Sequence, residues 1–261
     1  MTGPEVTTKG VLEIAEHEGV VLGPYYDSKK IPTYGVGHTR AAGGPDPNKM
    51  GWVDTRGWPE AKVKAELVKA LALFDDDLDK YEDRVRRAIK VKLKPHQFDA
   101  LVSFDFNTGG IVVAKLTEAI NRGDMGGDGF MGWIKPKELM KRRQAEQALF
   151  RTGDYEANGD LIPVYDALPD GRTRFRRHMR GAELLALMPK RGAVAAIEAV
   201  AARHPPANPV APPSAPAPGR ADVFPPLADY APAPPAPAGG ALAAFFVGLA
   251  AVLKARFGGG K

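Results

Sequence analysis

The stretch "EHEGVVLGPYYDSKKIPTYGVGHT", residues 16–39, decides how this chain folds. Just upstream, Thr8 suits a helix N-cap, Val11, Leu12 and Ala15 recur as an apolar stripe, and Gly19 suits a helix stop. The helix therefore ends at Glu18, which falls on that same stripe. From Pro24 to about Gly37 the pattern changes to two short β-like runs around the turn "DSKK", with Thr33, Tyr34 and Val36 in the second run. A helix end followed by a small β element is the start of an α+β fold.

The two carboxylates of this stretch occupy opposed settings. Glu18 lies on an apolar stripe at the negative end of a helix, which disfavours its charged form. Asp27 sits beside Ser28, Lys29 and Lys30, a polar and cationic setting that favours the carboxylate. One acid that holds its proton and one that has lost it make an acid/base pair of the kind glycoside hydrolysis uses. Thr33, six residues past Asp27, is placed to hold a water. Two acids and a threonine within sixteen residues also occur in many solvated helix-turn segments, so spacing alone does not establish catalysis.

The wider sequence carries the same pattern further. Glu18, eight residues, Asp27, five residues, Thr33, then "YGVGHT" at 34–39, resembles the active-site stretch of the phage-type lysozymes, glycoside hydrolase family 24. Residues 93–110, "LKPHQFDALVSFDFNTGG", are similar to that family's entry into its central helix, and residues 132–150, "GWIKPKELMKRRQAEQALF", to its closing helix. The resemblance covers roughly residues 5–153. It implies an α+β, two-lobed lysozyme-like fold, a small β-bearing lobe and a larger helical one with a cleft for a polysaccharide between them. It further implies hydrolysis of the β-1,4 bond between N-acetylmuramic acid and N-acetylglucosamine in peptidoglycan, with an inverting outcome. Glu18 would be the general acid, Asp27 the base or electrostatic partner, and Thr33 the residue that holds the attacking water. No cofactor and no metal enters this reading.

Neighbouring residues take lesser roles. His38 is expected to pair with a carboxylate of the next helix, Asp77, as a bridge between lobes. Asn107 and Thr108 are expected to turn the chain ahead of Gly109. Trp52 and Trp58, in the long loop 40–58, either stack on sugar or pin that loop, and Arg142 and Arg143 are expected in packing and salt bridges rather than on a ligand.

Beyond the catalytic residues 1–153, the expected organisation is a basic helical extension over 154–204, a Pro/Ala-rich linker over 205–240 and an apolar C-terminal helix over 241–261. Thirteen of the 24 prolines fall between Pro205 and Pro237, a composition unable to bury enough apolar surface to order itself. Residues 241–253 contain no charge, about 20 Å as a helix and so short against a bilayer core of about 30 Å. Both a membrane association through 241–257 and docking on protein fit that segment.

The absence of cysteine excludes a disulfide scaffold and any thiol nucleophile. A net charge of +5 favours anionic partners. The basic run "RTRFRRHMR", 172–180, comes with no nucleic-acid motif, so no nucleic-acid partner is expected. Without a cleavable leader, the expectation is a monomer made in the cytoplasm that acts on the bacterial wall. Two other readings stand beside this one: a non-catalytic peptidoglycan-binding module, and a membrane-active protein whose basic and apolar tail does the damage.

Overall fold

The computed structural model describes residues 3–156 and 161–189. Helix α1 spans Thr8–Glu18 and is capped by Thr7, one residue ahead of the expected Thr8, whose hydroxyl accepts from the Gly10 N–H. Gly19 ends the helix with a positive φ of 69° and donates its N–H to the Ala15 carbonyl. The chain then enters strand β1 (Val20–Tyr26), turns, and returns as β2 (Pro32–Gly35) and the short β3 (His38–Thr39). Strand β1 begins earlier than the expected Pro24, because Val20 and Val21 find partners far away in sequence.

A 29-residue helix, α2 (Glu60–Ala88), follows with Pro59 at its N-cap and buries Val63, Leu67, Leu71, Phe74, Leu78 and Val85 along one stripe. Helix α3 (Pro95–Thr108) is buried at every position from Gln97 to Asn107, so it forms the centre of the helical lobe. Helix α4 (Lys115–Asn121) is tied to the end of α2 by Asn121 Nδ2, which donates to the Ala88 carbonyl, and α5 (Leu139–Thr152) packs against α3. Phe104 meets Phe130 and Trp133 edge-on, and Phe74 meets Phe106 likewise, which closes the helical core. The expected turn at Thr108 is present: its hydroxyl donates to the Phe104 carbonyl and accepts from the Gly110 N–H.

The reading of 154–204 as helical is corrected over its first half. Residues Ile162–Ala167 form strand β4 and Thr173–Met179 form β5, an antiparallel hairpin, and among the described residues of this segment only Gly181–Leu187 forms a helix, α6; the helical pattern expected beyond it lies outside the described residues. The hairpin joins the sheet in the order β3-β2-β1-β4-β5, with β4 parallel to β1 through Val20↔Val164 and Val21↔Tyr165. The physical reason is burial: Ile162, Val164, Met179, Leu184, Leu185 and Met188 all enter the main core beside Val20 and Leu22. The basic run is therefore an edge strand and not a helix face. The expected linker and C-terminal helix, 205–261, lie outside the described residues. Among those described, no helix is long and apolar enough to cross a membrane.

His38 ties the lobes together as the sequence predicts. Its Nδ1 lies 2.7 Å from Asp77 Oδ2 on α2, its Nε2 lies 2.9 Å from the Pro45 carbonyl, and the histidine and aspartate side chains are both buried.

Candidate active site

The α1 terminus, the β1–β2 hairpin, the β2–β3 turn and α5 bring the candidate residues together. Glu18 is the last residue of α1 and is 4% exposed. Its Oε1 accepts from Arg142 Nη1 at 2.5 Å, while a Cβ placed on Gly37 in the β2–β3 turn would stand 3.7 Å from Oε2. Gly37 has a φ of 67°, so a side chain there would strain the backbone, although its Cβ would only touch the acid. The sequence reading of Glu18 as an acid in an apolar setting misses the guanidinium: the setting is an ion pair. Arg142 is fully buried and also reaches Glu146 Oε1 from its Nε at 3.1 Å. Burial works to lower the Arg142 pKa, yet the Glu18 and Glu146 carboxylates override it and the net shift is upward. Arg143 and Ser103 converge on the same Glu146 oxygen, and Arg143 also donates to Asn107 Oδ1. The two arginines are thus salt-bridge residues, and Arg142 is one whose partner is the candidate acid itself.

Asp27 follows β1 directly and is 3% exposed. Its Oδ1 accepts from the Lys29 N–H at 2.8 Å and the Ile31 N–H at 2.7 Å, whereas Oδ2 is buried with no hydrogen-bond partner. Burial pushes its pKa up, with the two backbone N–H groups and the Lys29 charge opposing less strongly. The expectation that the lysines set the direction of its shift is corrected: desolvation outweighs them, and the net shift is upward. Thr33 is fully buried in β2 and donates its hydroxyl proton to the Ile31 carbonyl at 3.0 Å, the same carbonyl that accepts from the Asp27 N–H. Residue 31 therefore fixes Asp27 and Thr33 against one another.

Tyr25, which the sequence reading passed over, completes the group. It pairs with Thr33 across the hairpin, is 2% exposed, and its phenol is held up by burial and then by the charges of Glu18 and Asp27. Its position two residues before Asp27 on an alternating strand was the available signal. Trp52 stacks on Tyr26 at 4.5 Å and Trp58 packs against the core with Lys62 over its ring, so both aromatics pin the loop.

The raised Asp27 pKa fixes the sign of a stability test. An acid that holds its proton more tightly when folded imposes no penalty below the ordinary carboxylate value of 3.8, and a growing one as pH rises through the raised folded value. Asp27→Asn keeps Oδ1 for both N–H groups and removes the buried charge. Thermal melts are expected to show the variant about 2–4 °C above wild type at pH 7, and level with it well below the ordinary carboxylate range. Equal melting temperatures at both ends would contradict the desolvation argument.

A helix that ends at Glu18 beside a β-hairpin carrying Asp27 and Thr33, in an α+β fold, is what comparison with known proteins assigns to a class of wall-cleaving hydrolases. A sequence model described as phage lysozyme matches residues 15–146. The endolysin of Salmonella phage P22 is 33% identical over 154 residues, covering 56% of this chain and 97% of the relative. The SAR-endolysin of Escherichia phage Mu is 32% identical, covering 56% of this chain and 79% of the relative. Among solved structures, a P22 lysozyme mutant aligns with a TM-score of 0.43 at 29% identity, covering 57% of this chain and 99% of the other. The chain belongs to the phage lysozyme family. It is a glycoside hydrolase whose substrate is peptidoglycan.

Proposed function

We propose that this chain is an endolysin-type muramidase that hydrolyses the β-1,4 bond between N-acetylmuramic acid and N-acetylglucosamine in the bacterial wall. Glu18 gives its proton to the glycosidic oxygen as the bond to the anomeric carbon breaks. Arg142 occupies Oε1, so Oε2 is the atom that carries the proton. A water attacks the anomeric carbon and loses its proton to Asp27, while Thr33 orients it; the products are a reducing end and a free hydroxyl. Thr33 has its own proton committed to Ile31, which leaves its lone pairs to accept from that water.

The observation that carries this reading is the unpartnered, buried Oδ2 of Asp27. A buried carboxylate oxygen without a donor is costly, and a desolvated acid with a raised pKa is a better proton acceptor than an ion-paired one. That favours base over electrostatic partner for Asp27. The test is mass spectrometry of peptidoglycan digested in ¹⁸O-labelled water. Reducing N-acetylmuramic ends carrying one ¹⁸O are expected. Anhydro ends without label would mean internal attack and remove the water from the scheme.

A further inference from the structure

Beyond the residues matched by the family model, the β4–β5 hairpin sets an aromatic face beside the candidate acid. Tyr165 is the register partner of Val21 on β1 and of Phe175 on β5, so all three side chains share one face of the sheet. His178 lies on it too, opposite Pro163. The rings touch in series: Tyr165 and Phe175 centroids are 6.0 Å apart, and Phe175 and His178 are 4.9 Å apart. At its inner end the series reaches Gly19, the residue next to the candidate acid. A Cβ on Gly19, the residue after Glu18, would meet Tyr165 Cε2 at 3.0 Å, and Val21, Tyr25 and Tyr165 pack in one apolar cluster. At its outer end Phe175 is 49% exposed. The opposite face of the same hairpin is spent on the core through Ile162, Val164 and Met179, so folding does not explain why Phe175 points outward.

We propose that this face is a glycan-binding subsite, added to the lysozyme fold by the hairpin, which holds a sugar of the peptidoglycan strand some residues away from the bond being cut. This rests on the reading that Glu18 marks that bond. An amino sugar presents an apolar face of axial C–H bonds with partial positive charge, and the face of an aromatic ring is both apolar and electron-rich. Tyr165 is partly buried and anchors the inner position; Phe175 supplies the free platform and His178 fixes its tilt. The occupant is a saccharide strand rather than a protein or lipid because the ring series starts where Tyr165 packs on Gly19, one residue from the candidate acid. A sugar bound here helps only substrates long enough to reach both places.

Phe175→Ala in the full chain tests this, assayed on uncrosslinked glycan strands and on a short N-acetylglucosamine–N-acetylmuramic acid tetrasaccharide. On the strands KM is expected to rise about five- to tenfold with kcat unchanged, the loss of one stacked ring. Turnover of the tetrasaccharide is expected to stay at the wild-type rate. Phe175→Trp is expected to restore the KM on strands. An unchanged KM on strands would overturn the subsite, as would an equal loss on both substrates, which would mean that Phe175 only supports the fold. Wild-type protein inactive on both substrates would instead overturn the muramidase reading.

Discussion

Glu18→Gln is expected to lower turnover of peptidoglycan by about 10²- to 10⁴-fold, the usual worth of a positioned general acid. The amide has the shape of the acid but no proton that a leaving oxygen can take. It keeps a carbonyl oxygen for Arg142 Nη1, and Arg142 keeps its second carboxylate, Glu146, so the buried guanidinium is not stranded. The variant is therefore expected to fold and to bind glycan while failing to cut it, with KM little changed and kcat carrying the loss. Turbidity of a peptidoglycan suspension and a glycan pull-down measure the two halves. A variant that clears the suspension within tenfold of wild type would remove Glu18 from the chemistry. Killing that persists without wall hydrolysis would move the activity elsewhere in the chain.

What was readable in the sequence follows how local the determinants are. The helix end at Glu18, the turn between β1 and β2 and the turn at Thr108 are set by neighbours within a few residues and stand where the pattern of caps, alternation and glycine places them, whereas the early start of β1 is set by its distant partner β4. The electrostatics of the site are set by contacts that span the chain. Arg142 reaches Glu18 across 124 positions, and no window around residues 16–39 contains that guanidinium. Burial of Asp27 is likewise a property of the assembled hairpin, which is why counting nearby lysines gave the wrong sign.

The β4–β5 hairpin is a different case, since its signal was present and outweighed. "IPVYDA" alternates with period two, "PDG" is a turn signal, and "TRFRRHM" alternates again. Five arginines between 172 and 180 drew the reading towards a solvated helix. In the structure that charge is absorbed by pairing: Arg172 bonds Asp170, Arg176 bonds Asp166, and Arg177 bonds Glu183. Charge patterning told less about this segment than apolar alternation did, because three acids placed for the arginines lie in its own flanks.

The hairpin also changes where the catalytic unit ends. A chain stopped at Glu156, close to the boundary expected from the sequence, is predicted to be much less stable than one stopped at Pro189. The two differ in the hairpin and α6, apart from four connecting residues. Without β4, one side of β1 loses its backbone partners and becomes an open edge next to Glu18. Val20 and Leu22, both at 0% exposure, lose the cover of Ile162, Val164 and Met179, and Val21, also at 0%, loses that of Ala167 and Tyr165. Six large apolar side chains leave the core with the segment. The edge and the uncovered valines remain as uncompensated losses of about 3–5 kcal/mol, which in a domain of this size lowers the melting temperature by about 10 °C. A point test in the full chain separates this from truncation artefacts. Val164→Asp puts a carboxylate opposite Val20 with no partner and is expected to melt earlier by a similar amount, whereas Arg174→Ala, on the exposed edge of the same hairpin, leaves the melt unchanged. If the chain ending at Glu156 melts as high as the chain ending at Pro189, β1 does not depend on β4, and the hairpin is an appendage to a catalytic unit that closes without it.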